Sequence, residues 1–294
     1  MKKVLTTTTI FGYLLITSFV SLVIITSCTK DKDENNASPP PKEVSLKNHP
    51  TLGNILVDKE GRTLYFSSND ANGQSSCTGG CETMWPVFNI DNLTQDKLGD
   101  GLSVGGFGSI TTASGKKQLT YKGYPLYYFA PGGQKEAPGL TGGEASDDVW
   151  FVAKPDYTIM ISNAQLMGND GKNYLNNYTE GVGKTLYFTD GKGLTLYTFT
   201  KDSANNNNFT KPDFSNNTVW PIYETDQVVV PSTLDKALFG SIDVFGKKQL
   251  TFKGWPLYYF GADGQVRGNN KGVSVIMPGV WRVPVKNMTV APLP

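Results

Sequence analysis

Histidine is nearly absent from this chain, with His49 the single copy in 294 residues. That removes the usual Ser-His and Cys-His nucleophilic pairs and most imidazole-built metal spheres. Cysteine is scarce too, at three, and no second cysteine pair exists to complete a zinc or copper site. No Gly-x-Ser-x-Gly elbow surrounds Ser109 or Ser241, and no glycine loop ending in Lys-Ser/Thr is present to cradle phosphate. Gly99, Gly101, Gly105 and Gly106 read as turns. Two pairs of carboxylates remain for acid–base work, Asp147 with Asp148 and Asp202 with Asp213, and nothing in the sequence brings either pair together. The chain is therefore expected not to be an enzyme and to hold no catalytic residue, metal or cofactor. An excess of charge is also missing: Lys+Arg is 27 against Asp+Glu 26. No basic patch follows, so nucleic acid is not an expected partner. Long helical periodicity with capping signals is the last absence, and 32 glycines, 17 prolines and 12% aromatic residues suit short strands joined by turns. An all-β fold is expected.

What is present is a repeat. Leu64-Tyr65 leads to Trp85, Leu126-Tyr127 to Trp150, Leu196-Tyr197 to Trp220, and Leu257-Tyr258 to Trp281, and the fifth tryptophan, Trp255, precedes the last Leu-Tyr. Phe107-Gly108-Ser109-Ile110 recurs as Phe239-Gly240-Ser241-Ile242. Gly115-Lys116-Lys117-Gln118-Leu119-Thr120 recurs as Gly246-Lys247-Lys248-Gln249-Leu250-Thr251. These matches make four units grouped as a tandem duplication of a two-unit module. Each unit reads as a hairpin (54–57 with 63–66, 118–121 with 125–129, 185–188 with 194–199, 249–252 with 256–260), then a variable loop, then a strand at the tryptophan. Proline beside Trp85 and Trp220 implies that those strands lie at a sheet edge or begin there. Three short strands are too few to stand alone, so the units must pack together, with the tryptophans covering the shared core. The expected arrangement is four pseudo-repeats of short antiparallel strands in two tandem modules, 49–156 and 157–294, either sandwich-like or as a small propeller-like ring.

The N-terminus reads as an address. Lys2 and Lys3 precede a largely apolar run over 10–25, too short for a comfortable transmembrane helix, and the run ends in Ile25-Thr26-Ser27-Cys28. This resembles a bacterial lipobox, which implies a signal peptide over 1–27 and acylation of Cys28. The charged, polar and proline-rich stretch that follows reads as a disordered tether over 28–48. Its Lys30-Asp31-Lys32-Asp33-Glu34 resembles the lipoprotein export signal of Bacteroidota, which implies a surface-exposed protein anchored in the outer membrane. In an exported chain the remaining cysteines, Cys77 and Cys81, are expected to close a disulfide. The polar stretch 203–217 is expected to be mobile, and its Asp202-Ser203-Ala204 resembles a bacterial O-glycosylation acceptor at Ser203.

Tyr197-x-Phe199-x-x-Asp202 and Tyr258-x-Phe260-x-x-Asp263 resemble the Tyr-x-[Phe/Trp/Tyr]-x-x-Asp motif of a family of bacterial lipoproteins known as a secreted repeat of unknown function. Two units depart from it: Tyr65 and Asp70 flank Ser67 in place of the aromatic, and Tyr127-x-Phe129 ends in Gly132. The resemblance implies an envelope lipoprotein without an established activity. Two roles for the motif stay open. The Asp either caps the turn leaving the strand while the Tyr finds a hydroxyl partner, or the carboxylates line one end of the sheets and bind calcium or a sugar. The expected function is a lipid-anchored cell-envelope module, binding or structural, with a glycan or an outer-membrane protein as partner. The alternatives are a carbohydrate-active hydrolase or a metal- or redox-handling envelope protein.

Overall fold

The hairpin that carries each Leu-Tyr phrase forms at a turn that its sequence dictates. Lys122-Gly123 and Lys253-Gly254 hold φ of 49° and 80°, and 49° and 81°, the paired left-handed conformation of a tight hairpin turn. They join strands Lys117–Tyr121 to Tyr124–Pro125 and Lys247–Phe252 to Trp255–Pro256. The other two Leu-Tyr hairpins turn on an aspartate. Asp58 Oδ1 accepts from the backbone N–H of Glu60 at 3.0 Å and Arg62 at 2.8 Å, and Asp190 Oδ1 from Lys192 at 2.8 Å and Leu194 at 2.9 Å.

The computed structural model describes residues 41–294, which form one compact unit built from small antiparallel sheets of two or three strands. The signal segment, Cys28 and residues 29–40 lie outside the described residues. The tether ends earlier than its composition suggests. Val44–His49 is a strand, paired with Gly53–Asp58 in register from Val44 opposite Asp58 to His49 opposite Gly53, and Val44 is fully buried. Ile159–Met167 does the same for the second module, pairing with Lys184–Asp190. Each module thus opens with a strand that precedes its first repeat unit.

The tryptophan strands do not return to their own hairpins. Leu126 N–H bonds Leu119 O at 2.9 Å, Leu119 N–H bonds Phe88 O at 2.8 Å, and Phe88 N–H bonds Leu126 O at 2.9 Å. Three strands close a ring of main-chain bonds, and the third comes from the preceding unit, just past Trp85. Reciprocally, Ala153 past Trp150 closes the ring of Leu56 and Leu64, with bonds of 2.7 to 3.0 Å, and Trp150–Val152 pairs with Tyr65–Ser67. In the second module Tyr223 completes the ring of Leu250 and Leu257, and Pro284 accepts from Phe188 beside Leu196. The two units of a module are therefore interlocked by exchanged strands. Where proline follows the tryptophan the pairing shrinks to single bridges, Val87 with Tyr127 and Ile222 with Tyr258.

Alternation along the Leu-Tyr phrase then sorts the core. Leu64, Leu126, Leu196 and Leu257 all enter one central apolar cluster with Phe88, Ala153, Phe188 and Tyr223, which the two modules share. The adjacent tyrosines point the other way, Tyr65 and Tyr127 into a cluster with Trp85 and Trp150, Tyr197 and Tyr258 into one with Trp220 and Trp281. At the seam Arg267 stacks on Tyr124, 3.8 Å from the ring centroid, and donates to the backbone carbonyls of Lys122 and Lys192.

Candidate functional site

Within each module the two Leu-Tyr strands meet at their tyrosines. Tyr65 and Tyr127 exchange both main-chain hydrogen bonds, at 2.9 and 3.0 Å, as do Tyr197 and Tyr258, at 2.8 and 2.9 Å. The four tyrosines are fully buried, so each hydroxyl requires a partner. The partner always comes from the other unit of the module. Tyr127 Oη donates to Asp70 Oδ2 at 2.6 Å, Tyr258 to Asp202 Oδ2 at 2.8 Å, and Tyr197 to Asp263. The second carboxylate oxygen ties down the loop beyond the strand: Asp70 Oδ1 accepts from Ser76 N–H, Asp202 Oδ1 from Asn208 N–H and Asp263 Oδ1 from Lys271 N–H, each at 2.8 Å.

Gly132, where the motif lacks its acid, is no gap in this lattice. Tyr65 donates to Glu136, whose Oε2 accepts from Gly142 N–H at 2.9 Å. The role passes to a longer side chain a few residues on. Sequence reasoning missed Glu136, and the available signal was a buried-type tyrosine with no acid in register. It also missed a second tier: Tyr128 Oη donates to Asp58 Oδ2 at 3.0 Å and Tyr259 to Asp190 Oδ2 at 2.9 Å, so the aspartates that shape the first hairpin of each module also anchor the second.

Burial governs the electrostatics of this lattice. It raises the carboxyls against the hydrogen bonds they accept, with Asp202 pushed up to about 7 and Asp263 to about 6, and Asp70 raised as well. Burial likewise pushes the phenols of Tyr65, Tyr127, Tyr197 and Tyr258 far above their ordinary range, with the neighbouring carboxylate adding to it.

The tryptophans form two stacked pairs, Trp85 on Trp150 with centroids 3.8 Å apart and Trp220 on Trp281 at 3.5 Å. The motif phenylalanines flank them: Phe129 on Trp85 at 4.8 Å, Phe260 on Trp220 and Phe199 on Trp281, both at 4.4 Å. Ser67 leaves the fourth place without an aromatic. In that module Cys77, disulfide-bonded to Cys81, joins the apolar cluster of Trp85 and Trp150. Phe209, as far beyond Asp202 as Cys77 is beyond Asp70, packs on Trp281 at 4.9 Å in the second module.

The other sequence candidates are not assembled into a site. Asp147 and Asp148 are exposed and both adopt positive φ. Asp202 is buried at Tyr258 while Asp213 is exposed and accepts from Ser215 N–H. Ser203 is buried, and its Oγ accepts from Asn206 Nδ2 at 3.4 Å. The asparagine-rich loop, expected to be mobile, is pinned by its own amides: Asn207 Nδ2 donates to Gln249 Oε1 at 2.7 Å and Asn216 Nδ2 to Phe209 O at 2.7 Å. Among the described residues no group of three or more His, Cys, Asp or Glu is placed to hold a metal ion, and no helix is long and apolar enough to cross a membrane.

Residues 49–89 and 108–154 match the profile of a family described as a secreted repeat of unknown function. The two matched stretches are the two units of the first module, each running from before its Leu-Tyr to past its tryptophan. No curated protein and no solved structure matches the chain.

Proposed function

We propose that this chain, whose first module carries two copies of the secreted repeat, is a lipid-anchored binding module of the cell envelope, tethered through Cys28 to the outer membrane and without catalytic activity. One observation carries the reading: the carboxylates that recur with the motif are spent inside the fold, on tyrosines of the neighbouring unit and on loop backbone. They build a rigid body and leave recognition to its surface. The lipobox at Ile25-Thr26-Ser27-Cys28 and the polar stretch after it support anchoring. If the anchor is right, Cys28→Ala moves the protein out of the membrane fraction, and an unchanged fraction overturns it.

The surface best suited to a partner is the seam between the modules. A groove of about 460 Å³ there is lined by Asn69, Asn72, Gln74, Asn163, Gln165 and Asn269, with Lys184 and Arg267 beside them. Primary amides both donate and accept, as sugar hydroxyls do, and the two cations add donors, so the groove fits a glycan. The test is a glycan array probed with the full-length chain and with Asn72→Ala and Gln74→Ala. Retention of a glycan that both substitutions weaken supports the groove. Equal retention by all three proteins sinks it.

A further inference from the structure

The duplication supplies its own control for one cavity. In the first module Lys135 lays its ammonium across the ring of Tyr128, 3.5 Å from the centroid, and Tyr128 is hydrogen-bonded to Asp58. Arg62 adds a second cation, its Nη1 3.3 Å from Asp58 Oδ2. The second module repeats the frame, with Gly264-Gln265 matching Gly133-Gln134, Asp190 matching Asp58 and Tyr259 matching Tyr128, and then departs from it. Val266 stands where Lys135 would be and Leu194 where Arg62 would be. What remains is a cavity of about 290 Å³ lined by Asp190, Tyr259, Phe260 and Asp263, with Leu194 and Val266 at its apolar edge. Asp190 and Asp263 are buried, and neither has an ion-pair partner among the described residues.

We propose that this cavity binds a primary alkylammonium group, the chemistry of a lysine side chain, which takes in the second module the place that Lys135 takes in the first. The ammonium lies on the Tyr259 ring against Asp190, and its alkyl stem runs along Leu194 and Val266. An aromatic face backed by a carboxylate favours a cation, and the loss of both internal cations leaves it to an external one. Lys192, on the rim where the first module has Glu60, opposes the incoming charge and tunes the site toward a cation carried on a stem long enough to pass it. This inference does not depend on a glycan in the seam groove, which has different lining residues.

The test uses the methyl-labelled full-length chain in detergent, titrated with n-butylammonium and with neutral 1-butanol. Saturable shifts of the Leu194 and Val266 methyl signals are expected with the amine and not with the alcohol, at a dissociation constant on the order of a millimolar. Val266→Lys, at an exposed position, supplies the missing internal cation and is expected to abolish the shifts at Leu194 while the protein stays folded. Lys192→Ala is expected to tighten binding a few-fold, and Asp190→Asn to weaken it about tenfold. Identical behaviour of amine and alcohol overturns the proposal, as does unaltered binding by Val266→Lys. Binding seen only in Lys192→Ala also overturns it, since Lys192 would then be the natural occupant.

Discussion

The indole rings of Trp85 and Trp150 lie parallel, 3.8 Å apart at an interplanar angle of 5°, although they belong to different repeat units. Each ring sits at the start of the strand that its unit lends to the other, so the stack joins the two exchanged strands where they leave the loops. Tyr65 and Tyr127 meet the pair edge-on, at 5.5 Å on Trp85 and 5.0 Å on Trp150. The module is thereby closed around a four-ring aromatic cluster that no single unit contains.

Trp150→Ala should lower stability by about 3–5 kcal/mol, the usual cost of deleting a large buried aromatic. Because the stack holds exchanged strands, the two units of the first module should be lost together. Denaturant unfolding followed by far-ultraviolet dichroism and by tyrosine fluorescence checks this. Two resolved steps for residues of the two units, read by hydrogen exchange, would contradict the interlocking.

Glu136→Ala should destabilise the protein by about 1–3 kcal/mol, since Tyr65 then keeps a buried hydroxyl with no acceptor. Tyr65→Phe combined with Glu136→Ala should cost less than the sum of the two, with a coupling of at least about 0.5 kcal/mol. Glu60→Ala, at an exposed carboxylate, serves as the control and should change stability little. Additive effects at Tyr65 and Glu136 would show that the pair does not act as one bond.

Much of this frame was legible before any coordinates. The hairpins follow from Lys-Gly and Asp-to-Gly turns flanked by alternating residues, and the Cys77–Cys81 bridge from spacing and export. The exchange of strands was not legible, because adjacency in sequence assigns the strand at Trp85 to the hairpin of Leu64, whereas the open main-chain groups beside Leu119 and Leu126 capture it. Val44–His49 was hidden by its polar neighbours: Ser45, Lys47 and Asn48 dilute the apolar alternation, and its pairing with Gly53–Asp58 makes it a strand. Glu136 was invisible for a different reason. Side-chain reach substitutes for sequence register once a loop folds back, and a motif written at fixed spacing does not encode reach.

Between about pH 5 and pH 8 the protein should lose stability as pH rises. Asp202 and Asp263 bind their protons more tightly folded, at about 7 and about 6, than an ordinary aspartate at 3.8. The folded state then holds more protons than the unfolded chain in that window, which gives a negative slope of stability with pH. Their contribution is complete below the ordinary aspartate range and gone above about pH 7. Exposed carboxyls with lowered values, such as Asp96 and Asp170, act with the opposite sign at more acid pH, so the comparison is read above about pH 5. Melting temperatures across the window, for the parent and for Asp202→Asn, decide it. The substituted protein should show the flatter profile, and a parent stability that climbs with pH would contradict the assignment.

Reduction of Cys77–Cys81 should weaken the first module and spare the second. A loop this short contributes about 2 kcal/mol on the chain-entropy view, comparable to the cost of deleting a partly buried aromatic from the equivalent position. The two modules therefore solve one problem with different means: a disulfide beside Trp150 where the motif aromatic is Ser67, and Phe209 on Trp281 where Phe199 is kept. A reducing agent should lower the melting temperature of the parent and leave the Cys77→Ala, Cys81→Ala protein unmoved. Phe209→Ala, at a partly buried ring, should cost about 1–3 kcal/mol in either redox state. Hydrogen exchange locates the effect. Protection lost around Asp70 to Ser76 on reduction, with Asp202 to Asn208 unchanged, is the expected pattern, and equal loss in both loops would mean that the shared central core transmits the damage from one module to the other.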